Sequence, residues 1–210
     1  MASDLLPYAL ACAGTYEPGA VPQWRGSPDT GFVYLSMIGG VHCLAAEGTH
    51  DLEEWLQDFT CAEVEVFDYS KLGPVHMGIW SDVARLVLPI GGYLQGLGWP
   101  PYDVTGHSKG AGWALLFHGA MKDLGHPPRR TVAFESPRVG TSVLRDYLNA
   151  ERIDQTCTFN EHGKDIVTQV PWGGGYCDVR EPLILDVPDD LDIADKHHIP
   201  AIIAALEAMP

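Results

Sequence analysis

The chain has 210 residues, 46% hydrophobic and 20% charged, with a formal net charge of −15. That composition buries a full core and excludes a disordered chain, and the length suits one domain spanning residues 1–210. The acidic balance excludes nucleic acid as a partner, because phosphate binding needs clustered Lys and Arg.

Met1 to Cys12 carries no basic residue ahead of its short, proline-interrupted apolar run, so it fails as a secretory leader. No stretch reaches the ~20 apolar residues of a spanning helix. The five cysteines are an odd number with no Cys-x-x-Cys pair, which fits free thiols in a reducing compartment. A cytoplasmic location without an integral membrane segment is the expectation.

After a Gly- and Pro-containing opening segment, Phe32 to Ile38 and Val41 to Ala46 are apolar runs joined at Gly39-Gly40, the pattern of a β-hairpin. Leu52, Trp55, Leu56 and Phe59 follow at helical spacing, and Cys61 to Phe67 reads as a strand. Met77 to Leu97 is helical, Tyr102 to Thr105 a short strand, and Gly110 to Lys122 a helix. Strands are expected at Thr131 to Phe134, Thr156 to Phe159 and Leu183 to Val187, with helices at Ser142 to Leu148 and Ile199 to Ala208. Alternating strands and helices imply an α/β chain with a mostly parallel central sheet and helices on both faces.

Between strand and helix stands Gly106-His107-Ser108-Lys109-Gly110, a Gly-x-Ser-x-Gly turn. A serine presented on so sharp a turn needs small neighbours two residues away, so that strand and helix can approach. Ser108 is therefore the candidate nucleophile. His107 is expected to point away from it and serve packing. His42, His76, His118 and His126 have no zinc-ligand spacing, and no metal site is expected.

Further segments carry a resemblance. Leu44 to Asp58, with Gly48-Thr49 and Trp55, resembles the strand-Gly-Ser/Thr-to-Trp stretch of class 3 (fungal-type) lipases. Val75-His76-Met77-Gly78-Ile79 is similar to their Val-His-x-Gly-Phe helix opening, and Phe134 to Gly140 ends in their Pro-Arg-Val-Gly. The resemblance implies the α/β-hydrolase fold, a small-molecule or lipid ester as substrate, no cofactor, and a Ser-Asp-His triad in that order. Serine needs a base to take its proton, and the base needs an acid to fix its tautomer.

Asn160 to Val167 is similar to the family's Asn-x-x-Asp-x-Val segment, which makes Asp165 the acid, with Asp154, Asp178, Asp192 and Asp195 as competitors. Lys196-His197-His198 offers two bases. In the resembling lipases apolar helix residues follow the histidine at the second, fifth and ninth positions; Ile199, Ile202 and Leu206 satisfy this for His197. The same count from His198 reaches Glu207, so His197 is favoured and His198 is the alternative.

The resemblance also implies an oxyanion hole from the Lys109 amide and from Thr49. Two departures from the family stand out, since Lys109 replaces an apolar residue and Glu47 an arginine. Residues 51–59 correspond to a lid or to an ordinary packed helix. Ester hydrolysis is the leading reading; acyl transfer, thioester or amide cleavage on the same triad, and a non-catalytic binding protein, are the competing ones.

Overall fold

In the computed structural model the described residues are 4–26, 31–49, 63–65, 67–192 and 194–209. Their strands are β1 (Trp24–Arg25), β2 (Phe32–Ile38), β3 (Val41–Ala46), β4 (Glu63–Glu65), β5 (Pro74–His76) and β6 (Tyr102–His107). They continue with β7 (Arg130–Phe134), β8 (Gly140–Thr141), β9 (Ile153–Asn160), β10 (Gly163–Lys164), β11 (Tyr176–Cys177) and β12 (Leu183–Asp186). The α-helices are α1 (Leu6–Thr15), α2 (Met77–Gly96), α3 (Lys109–Asp123), α4 (Ser142–Tyr147) and α5 (Ile199–Ala208).

The opening segment, to which the sequence reading assigns no element, forms α1. Leu5, Tyr8, Ala9 and Cys12 recur at helical spacing and are buried, and Pro7 sits in the first turn, where a missing N–H costs nothing. The predicted hairpin is present with Ile38 opposite Val41. Gly39 and Gly40 both take left-handed backbone (φ 57° and 81°), as a two-residue connection between twisted strands requires.

The main sheet runs β1-β2-β3-β6-β7-β9, with β12 parallel and β10 antiparallel to β9. Its centre, β3-β6-β7-β9-β12, is parallel throughout. The run expected as a strand over 61–67 contributes Glu63–Glu65, in a second, antiparallel sheet ordered β11-β8-β5-β4. Residues 61, 62 and 66 of that run, and 51–59 of the helical pattern, lie outside the described residues.

Pleating sends alternate side chains to opposite faces. Leu44, Val104 and Ala133 join the core against α2 and α3, while Cys43, Val132 and Phe134 join the one against α1 and α5. The expected mostly parallel sheet with helices on both faces is therefore the observed one. No helix among the described residues is long and apolar enough to cross a membrane.

Candidate active site

The turn between β6 and α3 holds Ser108 at φ 57° and ψ −127°, backbone that an L-residue takes only where its surroundings enforce it. Close approach explains the flanking glycines. A Cβ on Gly106 would overlap the carbonyl of Gly110, and one on Gly110 would overlap the carbonyls of Ala46 and Glu47 on the end of β3. These are backbone atoms of the first turn of α3 and of the end of β3, which cannot give way. Gly110→Ala is therefore expected to cost about 3 kcal/mol of stability, read as a lowered urea midpoint; an unchanged midpoint would contradict the close packing.

Lys109 opens α3, so its amide lies in the first helical turn, where N–H groups have no intrahelical acceptor. Its side chain turns to α2, where Nζ meets Asp82 Oδ2 at 2.8 Å with both groups largely buried. The residue that departs from the family pattern is thus one half of an ion pair fastening the turn to α2.

Asp165 follows the β9–β10 hairpin. Its N–H donates to the Thr158 carbonyl at 3.0 Å, its Oδ1 accepts from the Val167 amide at 3.0 Å, and its Oδ2 lies 2.5 Å from His197 Nδ1. Burial works to raise its pKa, but the charge and hydrogen bond of His197, with the Val167 amide, outweigh burial and leave it below the usual carboxylate range. The competing carboxylates have other partners or face water: Asp154 pairs with Arg130, Asp178 lies near Arg138, Asp192 accepts from the Ala194 and Asp195 amides, and Asp195 is exposed.

His197 ends a single 3-10 turn, Asp195–His197, immediately before α5. Ile199, Ile202 and Leu206 are buried, whereas Pro200, Glu207 and His198 are exposed, so the helix phase places His197 inward. Lys196, a residue the sequence reading passed over, is fully buried and donates from Nζ to the Gly163 carbonyl at 2.8 Å and to Asn160 Oδ1 at 3.2 Å. It joins the loop that carries the histidine to the hairpin that carries Asp165.

His107 does more than fill space. The pleat places it on the α1/α5 face, where Nε2 lies 2.7 Å from the His197 carbonyl and Nδ1 2.9 Å from the Tyr16 hydroxyl. A carbonyl only accepts, so Nε2 carries the proton and Nδ1 accepts from Tyr16. Burial, then the neighbouring His197, pull its pKa down to about 3, so the ring is neutral. No motif marks Tyr16, which is 91 residues from its partner.

Ser108 Oγ and His197 Nε2 are both buried and have no hydrogen-bond partner among the described residues. Beside His197 a cavity of about 400 Å³ is lined by Tyr16, Thr49, His107, His197 and Ile199, among others. The structure thus brings Ser108, Thr49, Lys109, Asp165 and His197 to one region, with His198 at its rim. Among the described residues no group of three His, Cys, Asp or Glu side chains is placed to hold a metal ion.

A serine on a strained strand-to-helix turn over a mostly parallel sheet, followed in the chain by a paired aspartate and histidine, defines the α/β-hydrolase class. The model of the class 3 lipases matches residues 43–174. The chain belongs to that family. A secreted mono- and diacylglycerol lipase A of Penicillium cyclopium is 24% identical over 203 residues, covering 87% of this chain and 62% of that protein. The chain therefore spans less than two thirds of that relative's length. The crystal structure of a mono- and diacylglycerol lipase from Aspergillus oryzae has a TM-score of 0.76 at 18% identity, covering 94% of this chain and 84% of that one. A triacylglyceride lipase of Rhizomucor miehei has a TM-score of 0.73 at 18% identity, covering 87% of this chain and 79% of that one.

These names correct the cytoplasmic expectation, because the curated relatives are named as secreted. The opening apolar residues belong to α1 and the core, so their failure as a leader says nothing of compartment. Cys12, Cys43 and Cys157 are buried free thiols, shielded in any surroundings.

Proposed function

We propose that the chain is a serine carboxylic ester hydrolase acting on lipid esters outside the cell, with mono- and diacylglycerols as the first substrates to test. One observation carries the chemistry: a buried His197 clamped by Asp165 through Nδ1, while its Nε2 and the Oγ of Ser108 have no hydrogen-bond partner among the described residues. Those two atoms are the ones that must exchange a proton. The substrate class rests on what the relatives are named for.

In this reading His197 Nε2 takes the Ser108 proton as Oγ attacks the ester carbonyl carbon, and Asp165 stabilises the imidazolium formed. The Lys109 amide, with Thr49 through its amide and hydroxyl, receives the oxyanion, each such donor contributing ~3 kcal/mol in the transition state. His197 then gives its proton to the departing alcohol, and water repeats the sequence on the acyl-enzyme. The Lys109 amide serves whatever side chain it bears, and the Asp82 ion pair fixes where it points.

The test is hydrolysis of emulsified mono- and dioleoylglycerol and of p-nitrophenyl butyrate, followed by titrated acid and released phenolate. Fatty acid release from the glycerides, with loss of activity on treatment with a fluorophosphonate, is expected. Absence of both ester activities, or fluorophosphonate bound elsewhere than Ser108, would overturn the reading. Acyl esters formed with an added alcohol in preference to free acid would instead identify an acyltransferase.

A further inference from the structure

A second carboxyl lies behind the acid of the site. Glu135 directly follows β7, is fully buried, and holds left-handed backbone at φ 52°, a conformation that a residue with a side chain keeps only under constraint. Its Oε1 accepts from Thr156 Oγ1 at 2.9 Å and its Oε2 from the Thr158 amide at 2.8 Å. The carbonyl of the same Thr158 accepts from the Asp165 amide, so both carboxyl residues are tied to one backbone residue of β9 and their side chains act on each other inside the protein.

Two carboxyl groups brought together in a buried site share one proton, because like charges there cannot both form. Asp165 meets the His197 ring and the Val167 amide, partners that reward a negative charge, while among the described residues the donors to Glu135 are the neutral Thr156 hydroxyl and Thr158 amide. The proton therefore belongs to Glu135. Burial, then the adjacent Asp165 charge, hold the Glu135 carboxyl well above the usual range, in agreement with that placement. The other titratable group facing Glu135 is the Cys157 thiol, which burial pushes up to about 11; His197 and His107 stand beyond Asp165, and His198 beyond His107.

We infer that Glu135, as a neutral acid, is a positioning residue whose O–H donates to Asp165 and keeps it ionised and turned toward His197. The inference rests on the triad reading above. It separates two electrostatic situations. An ionised Glu135 would set a second negative charge behind Asp165 and make His197 more basic, whereas a neutral one leaves that basicity to Asp165 alone.

Glutamine reproduces the neutral state: its Nε2 can donate to Asp165 and to Thr156 Oγ1 while its Oε1 accepts from Thr158. Methionine has the same length and no donor. The pH profile of kcat/KM on p-nitrophenyl butyrate, per active site counted by fluorophosphonate, compares them, its acid limb reporting the base of the free enzyme. Glu135→Gln is expected to stay within about threefold of wild type with its acid limb unmoved to within about half a unit. Glu135→Met is expected to lose about tenfold in kcat with little change in KM, and to shift the limb to higher pH, because Asp165 without its donor binds His197 more strongly.

A limb in Glu135→Gln displaced by more than about half a unit would show wild-type Glu135 to be ionised and overturn the inference. So would a Glu135→Met enzyme with the wild-type limb and kcat per site, since that is the behaviour of a packing residue. Should Glu135→Met not fold, the glutamine profile alone decides. Wild-type labelling of Ser108, measured first, bears on the triad reading by itself, so a displaced limb with labelling intact strikes only the role of Glu135.

Discussion

Ser108→Ala is expected to abolish ester hydrolysis, lowering kcat by on the order of 10⁶, while the melting temperature moves by no more than about 2 °C. The two halves of this expectation have separate grounds. Among the described residues Ser108 Oγ has no hydrogen-bond partner, so its deletion removes no stabilising contact seen there. Alanine and serine share the same Cβ, so the strained backbone at φ 57° is neither relieved nor worsened. Only the chemistry loses, because no neighbouring hydroxyl stands on the turn to replace the nucleophile. Rates on p-nitrophenyl butyrate and a calorimetric scan check both halves, and turnover within a few-fold of wild type would remove Ser108 from its role.

The parts of this site that could be read in the sequence are those set by local geometry. The hairpin at Gly39-Gly40, the Gly-x-Ser-x-Gly turn and the phase of α5 behind His197 each follow from residues a few positions apart, and each is where the sequence places it. Tyr16, Glu135 and Lys196 were illegible because their partners are distant in the chain: Tyr16 reaches His107, Glu135 reaches Thr158 and Asp165, and Lys196 reaches Gly163. Glu135 stands inside the Phe134 to Gly140 segment that resembles the family, but nothing in that pattern tells that its side chain is buried beside Thr156 and Thr158. The second sheet was hidden for the same reason, since β5 and β8, which meet at Val75 and Gly140, are brought together only by the fold.

Asp165→Asn is the second large effect and the finer test, because it changes a proton inventory and almost no volume. The asparagine must keep an acceptor for the Val167 amide, which holds its Oδ1 in place and leaves Nδ2 facing His197. Two donors then confront each other unless the imidazole carries its proton on Nε2, which faces away from the acid and is the atom that must accept from Ser108. Flipping the amide would restore the pair with His197 but set an N–H against the Val167 N–H, so neither orientation satisfies both neighbours. The histidine is consequently held in the wrong tautomer, and kcat is expected to fall by on the order of 10⁴, with fluorophosphonate labelling of Ser108 slowed in parallel. Asp195→Asn, at an exposed position beginning the turn before His197, should leave the rate within about twofold of wild type. If the two variants exchanged these outcomes, the acid would be Asp195, and the 2.5 Å contact between Asp165 and His197 would serve the fold and not the reaction.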